Sequence, residues 1–496
     1  KHTLANQSWT AYTYDDDKLT HVVNNHNQTF DLTYDYSDNL QSITDATGRT
    51  ITFNFDSERQ LQSVTTDTDK VLELEYDYRT NSLSKMTYAG RTLVTNTYDN
   101  KGRVTKQVSD SGNVTKFTYD DGQAGVMTTT VDDGRSVKTV VHDLSGHMLS
   151  TTDNKGRKTT SAYNSLGNET SSTDANGHKT LYTYDQYGNL LSQTTPAGKK
   201  TTFTYAPDNQ ITSITTPDDK TATFTYDKHA LITSTDKDGH VTTMAYGQDG
   251  QPTSIVKGDS KTTFQYDTNG LVASVTKNGQ TTSFVNDALG RPVQTTMPSG
   301  AKIATSYDLH GNVLSRTDPL GNKTTATYDD FGNVLTSTDA TGVTTENTYD
   351  NSGNLTSSQV DKTTTTYGYD AYNQLVSVKV NGKVAQTHVY DDAGNQTSQT
   401  NSVGQVTTAT YDKAGQLISQ TLDNATTTFA YDADDQLVST TDGNGGVTST
   451  AYDVMGRPVT VTDPLKRATT YTYDNQNNVT STTVNGHTTV FTYNAD

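Results

Sequence analysis

Cysteine is absent from all 496 residues, which excludes disulfides, thiolate nucleophiles and cysteine-ligated zinc or iron–sulfur centres. Tryptophan occurs once, and glutamate only at Glu58, Glu73, Glu75, Glu169 and Glu346, against 51 aspartates. Positive charge is scarce too: 37 Lys and Arg stand against 56 Asp and Glu, a formal charge of −19. A nucleic-acid partner needs clustered basic side chains to neutralise phosphates, so that class is excluded, as is attraction to an anionic membrane surface. No run reaches the ~18 apolar residues of a membrane-spanning helix, so no membrane insertion is expected. Lys1-His2-Thr3 does not open a secretory signal. The expectation is a fragment of a longer protein, lacking its native N-terminus.

Only 30% of residues are hydrophobic, and at this net charge composition alone predicts disorder. The 30 tyrosines argue otherwise through their spacing. Tyr-Asp recurs at Tyr98-Asp99, Tyr119-Asp120, Tyr184-Asp185, Tyr307-Asp308, Tyr328-Asp329, Tyr349-Asp350 and Tyr473-Asp474, among others. Degenerate members such as Phe55-Asp56, Tyr163-Asn164, Tyr205-Ala206 and Val285-Asn286 fall where the period demands them. This is about 24 repeats of about 21 residues over positions 1–496, a self-similarity that outranks any local signal. The expected organisation is a single repeat array.

Each period holds turns of the form Asp-x-x-Gly. One follows the tyrosine, as in Asp185-Gln186-Tyr187-Gly188; the other falls half a period away, as in Asp174-Ala175-Asn176-Gly177. We call these the post-tyrosine and mid-repeat turns. Asp at the first position accepts hydrogen bonds from N–H groups inside the turn, and Gly tolerates the positive φ that follows. Turn chemistry therefore explains why Asp so outnumbers Glu.

Between turns lie six- or seven-residue segments rich in Thr, Val, Ser and Tyr, which suit pleated strands. The residue two before the tyrosine shares its face and is often aromatic, as Phe117 with Tyr119, Tyr182 with Tyr184 and Phe203 with Tyr205. In the other strand Gly-Asn-Leu/Val-x-Ser recurs, for instance Gly188 to Ser192, and strand alternation predicts that the Leu and Ser share a face. A lone hairpin with so little apolar surface is unstable, so stacking of neighbours must make it fold. The predicted class is all-β, a continuous curled antiparallel sheet of about 24 hairpins. About 48 strands at ~4.8 Å would give one circuit roughly 70 Å across and ~20 Å tall, or two narrower circuits ~40 Å tall.

The stretch Gly311 to Asp329 is nearly a full copy of Gly-Asn-Leu/Val-x-Ser-x-Thr-Asp-x-x-Gly-x-x-Thr-x-x-x-Tyr-Asp. With this motif the chain resembles the tyrosine-aspartate (YD) repeat family, also called Rhs repeats. The resemblance implies a hollow β-shell of the kind found in bacterial Rhs and wall-associated polymorphic toxins, insecticidal toxin complexes and teneurins. It further implies an extracellular protein, secreted or at the cell surface and cell wall. In the toxin members the shell encloses a C-terminal toxin or effector, which is the expected partner. Those members close with an Asp-Pro-x-Gly-Leu-type core; here Asp318-Pro319-Leu320-Gly321 and Asp463-Pro464-Leu465-Lys466 fall in ordinary turn phase. The core and toxin are therefore expected to lie outside this sequence.

Candidate chemistry is thin. Nucleophile elbows, His-Glu-x-x-His and phosphate loops are missing. His142 and His147 could meet across a turn; Gly443 to Gly446 is a loose glycine cluster; Asp15-Asp16-Asp17, Asp132-Asp133, Asp218-Asp219 and Asp236-Lys237-Asp238 are acidic turns without EF-hand form. None is assigned as a metal, cofactor or catalytic site, and no enzyme activity is expected. Irregular loops such as Gly122-Gln123-Ala124-Gly125 are better functional candidates than the regular repeats. The alternative to encapsulation is an extended cell-surface adhesin or stalk, with a surface glycan held by exposed Tyr, Asp and Asn.

Overall fold

The computed structural model describes residues 2–3, 9–26, 28–66, 71–122 and 125–493, and every regular element in it is a strand, 48 in all. Gln123 and Ala124 of the irregular loop, and Asn494 in the last repeat, lie outside the described residues. No helix among the described residues is long and apolar enough to cross a membrane. The chain forms two compact units. One gathers Lys1–Val114, Asp227–Ala230 and Thr243–Lys383; the other gathers Thr115–Tyr226, Leu231–Thr242 and Val384–Asp496.

Within each unit the predicted hairpins are present. Lys179–Tyr184 pairs antiparallel with Glu169–Thr173 before it and Leu190–Thr194 after it. A β-bulge recurs just before the tyrosine: Thr183 faces Ser192 but Tyr184 faces Leu190, leaving Leu191 as the extra residue. The same shift occurs at Tyr34, Phe55, Tyr266, Tyr328 and Tyr473. It overturns one expectation. Successive residues Thr183 and Tyr184 point to opposite faces, so their partners Ser192 and Leu190 do as well, although they lie two apart.

No described apolar side chain is buried; the buried residues are Thr87, Ser136, Ser171, Ser192, Ser260 and Ser274. A core of packed aliphatics is therefore not what holds the hairpins together. Three hydrogen-bonding devices take its place beside the backbone ladder.

The first is a cross-strand hydroxyl pair beside the bulge, as Thr183 with Ser192 at 2.7 Å, Thr327 with Thr336 at 2.7 Å and Thr410 with Ser419 at 2.6 Å. The second is the tyrosine itself. Its hydroxyl donates to a carbonyl 15 residues back, at or next to the start of the neighbouring strand: Tyr34 to Leu19, Tyr205 to Leu190, Tyr328 to Val313 and Tyr452 to Leu437, all at 2.8–3.0 Å. Each tyrosine thus ties its hairpin to the preceding one. Tyr452→Phe keeps the ring and removes the donor, and is expected to cost about 1 kcal/mol in urea unfolding. A phenylalanine variant as stable as the parent would show that the ring alone makes the tie.

The third device is the turn. Asp185 Oδ1 accepts the N–H groups of Tyr187 (2.8 Å) and Asn189 (2.9 Å), while Oδ2 accepts Asn189 Nδ2 at 2.9 Å. Gly188 closes the turn by donating to the Asp185 carbonyl with φ +88°, a value that penalises any side chain. Asp318 and Asp463 make the same bonds to Leu320 and Asn322, and to Leu465 and Arg467. Not every mid-repeat turn has this form. Asn278-Gly279, Asn381-Gly382 and Asn485-Gly486 have positive φ at both residues, the two-residue type I′ hairpin turn whose twist matches its strands.

Candidate functional site

Strand direction places all mid-repeat turns on one edge of a hairpin row and all post-tyrosine turns on the other. In each unit two such rows meet edge to edge, and the contacts join residues more than 200 apart in sequence. We call the rows the first and second tiers, in chain order. At the seam, mid-repeat turns of the first tier meet post-tyrosine turns of the second.

In the Thr115–Tyr226 and Val384–Asp496 unit the seam is polar. Arg157 pairs with Asp392 at 3.2 Å; Asn176 Nδ2 donates to Asp412 Oδ2 at 2.9 Å; Gln476 Nε2 donates to Asp236 Oδ2 at 3.0 Å. Asp434 is among its most enclosed carboxylates, with a side chain 9% exposed. It accepts the Ala197 N–H at 2.9 Å and pairs with Lys199 Nζ at 2.9 Å. Burial pushes the Asp434 carboxyl up, but those bonds outweigh it and hold the group below its ordinary range.

His178 Nδ1 lies 3.4 Å from Asp174 and 3.2 Å from Asp435, so one imidazole bridges carboxylates of the two tiers. Asp236, Asp238 and His240 form a comparable group beside Gln476. Either set offers the nitrogen and oxygen donors that a divalent metal takes. A groove of about 600 Å³ runs past His178, Lys199 and Asp434, lined by hydroxyls of Thr159, Ser161 and Thr173 and, among the described residues, by no Phe, Tyr or Trp ring.

In the unit holding Lys1–Val114 and Thr243–Lys383 the seam has an aromatic wedge. Phe331, third in its post-tyrosine turn, meets Tyr88 edge-on at 5.5 Å and lies 3.6 Å beneath the Arg91 guanidinium. Phe331→Ala is expected to cost about 2 kcal/mol by urea unfolding, less than a fully buried phenylalanine; no change would mean the wedge does not bind the tiers. Beside the groove lined by Val22, Phe30 and Leu271, Asp45 turns its carboxylate onto Thr47 and Arg49. Burial raises its pKa, yet those hydrogen bonds bring it down to about 2.

The sequence candidates fall elsewhere. His147 does not meet His142: it bonds Asp143 at 2.8 Å and stacks on Tyr163 at 4.8 Å, while His142 sits across from Met148. The Gly443–Gly446 loop spends the N–H groups of Asn444 and Gly446 on Asp442. Asp133 caps Arg135 and Ser136. Of the acidic turns, Asp236-Lys237-Asp238 bonds across the seam, accepting from Asn475 and Gln476. The seam residues Lys199, His178, Asp434 and Phe331 were missed, since nothing local distinguishes them from other turn positions.

Two family models account for most of the chain. The RHS repeat model matches residues 142–179, 163–200, 184–221, 349–384, 390–428, 431–468 and 452–489, and the teneurin YD-shell model matches 1–140 and 230–326. The chain belongs to the YD-repeat family. Solved structures agree on the fold of this YD-repeat chain. The Tc holotoxin pore of Photorhabdus luminescens aligns over 93% of the chain and 30% of its own, with TM-score 0.66 at 15% identity. TcdB2-TccC3 without its hypervariable C-terminal region covers 97% of this chain and 36% of its own, with TM-score 0.61 at 13% identity. The YD-repeat chain thus spans about a third of the length of these structures. No curated protein matches it.

Proposed function

We propose that this YD-repeat chain is a non-catalytic, extracellular segment of a protein whose repeats build an enclosing wall around a toxin or effector domain. The observation that carries the reading is the seam. A sheet with no buried apolar residue among the described ones can hold off solvent and proteases only where its rows are joined edge to edge, and ion pairs such as Lys199–Asp434 make that join. Secretion and a bacterial cell-wall setting accompany this reading. Among the described residues the hydroxyl-lined groove has no Phe, Tyr or Trp ring for a glycan to stack on, so the adhesin or stalk reading with a surface glycan gains nothing from it.

Small-angle X-ray scattering of the purified chain tests the proposal. A hollow or strongly curved profile, with a maximum dimension well under roughly 100 Å, as two narrower circuits about 40 Å tall require, is the expected result. A rod well beyond that length would overturn it in favour of the stalk.

A further inference from the structure

An aspartate at the head of one of these turns needs a donor for its second oxygen, and the residue four positions on supplies it. Asn189 Nδ2 does so for Asp185 at 2.9 Å, Arg291 Nε for Asp287 at 2.7 Å and His147 Nδ1 for Asp143 at 2.8 Å. In the turn from Asp174 to His178 this arrangement is incomplete. Asp174 Oδ1 accepts the N–H groups of Asn176 and His178 at 3.0 and 2.8 Å, but Oδ2 stands 3.4 Å from His178 Nδ1. That nitrogen lies nearer to Asp435 Oδ1 of the second tier, at 3.2 Å. The three atoms are all within 4.8 Å of one another, and the three residues line the hydroxyl-rich groove. A neutral imidazole has one N–H, so at Nδ1 it can serve at most one of the two carboxylates. The Asp236, Asp238 and His240 group differs: Gln476 Nε2 lies 3.0 Å from Asp236 Oδ2 and 3.1 Å from His240 Nδ1, so an amide already serves both. Among the described residues no amide bonds Asp174 Oδ2 or Asp435 Oδ1.

We propose that Asp174, His178 and Asp435 hold a zinc ion, with water from the groove as its fourth ligand, and that the ion clamps the two tiers together. Zinc takes imidazole nitrogen and carboxylate oxygen in a tetrahedral array with bonds of about 2.0–2.2 Å. Such bonds set neighbouring ligand atoms about 3.3–3.6 Å apart, close to the 3.4 and 3.2 Å found here. The ring then keeps its proton on Nε2 and gives the Nδ1 lone pair to the metal. The chain has no cysteine, so no thiolate competes for the ion. Two ligands belong to the first tier and one to the second, so the ion binds the joined rows and stabilises the seam. The inference goes beyond the enclosing role and does not depend on it.

Calorimetric titration of zinc chloride into the full chain, stripped of metal with EDTA and dialysed, tests it. One site with a micromolar dissociation constant is the expected result. His178→Asn and Asp435→Asn should each weaken it at least tenfold, while His240→Asn leaves it unchanged. Both substitutions suit their positions: Asn at the fourth place donates as Asn189 does, and Asn tolerates the φ of +63° at Asp435. Urea unfolding gives an independent readout, because zinc should raise the midpoint of the parent and of neither variant. A parent that takes up no zinc at ~100 μM, or uptake that survives in both variants, overturns the proposal. So does a parent that binds zinc with no rise in its urea midpoint.

Discussion

Acidification from about pH 5 to about pH 2 is expected to unfold this chain, with the midpoint near pH 3. The cause is the turn aspartates. Asp185, Asp318 and Asp339 are held below the ordinary carboxylate range chiefly by side-chain hydrogen bonds from Asn189, Asn322 and Thr341, joined by backbone N–H groups. In Asp153, Asp287 and Asp453 burial pushes the other way, and bonds from Arg157, Arg291 and Arg457 prevail. The unfolded chain, titrating near 3.8, binds more protons than the folded one between the two values, so stability falls as pH falls. The contribution is complete above the unfolded value and is lost through the lower folded one, which for Asp45 is about 2.

Because the motif recurs in nearly every repeat, small losses accumulate across the array. Circular dichroism melts at stepped pH would measure this. Asn164 and Asn401 already occupy the Asp position and accept the same backbone bonds without titrating. Asp→Asn at several turns should therefore move the acid midpoint downward. Melting temperatures that stay level to pH 2.5 would show that the turn carboxylates do not support the fold.

The second large effect is at the seam. Lys199→Glu sets a carboxylate against Asp434, whose side chain is 9% exposed and so weakly screened by solvent. Breaking an enclosed pair in this way costs about 3–5 kcal/mol, and urea unfolding should register a loss in that range. Lys199→Gln should cost less, because Gln436 lies 3.0 Å from the lysine nitrogen and an amide can still bond there. Adding Asp434→Lys to Lys199→Glu should restore only part of the loss, since Asp434 also accepts the Ala197 N–H and lysine cannot. A Lys199→Glu variant with parental stability would mean that the pair does not hold the tiers.

The hairpins, both turn classes and the role of Asp were legible in the sequence because each is a local matter. Asp-x-x-Gly fixes its own turn, and Thr-rich alternation fixes its own strand. The bulge was not legible: Gly188 to Ser192 reads as plain alternation, and only pairing with Thr183 and Tyr184 reveals Leu191 as the extra residue. The tyrosine's place in its strand was legible, but its hydroxyl bond reaches 14 or 15 residues back to another hairpin, a distance that spacing alone does not disclose. The seam lay furthest from view. Lys199 and Asp434 are separated by about eleven periods, and their meeting depends on the curvature of the sheet, which no single repeat encodes.

Zero-length carbodiimide cross-linking of the unmodified chain, read by mass spectrometry, tests the tiered arrangement most directly. The account predicts an isopeptide between Lys199 and Asp434, whose Nζ and Oδ2 atoms are 2.9 Å apart. Cross-links confined to neighbouring repeats, with none joining residues 150–240 to 390–476, would contradict it.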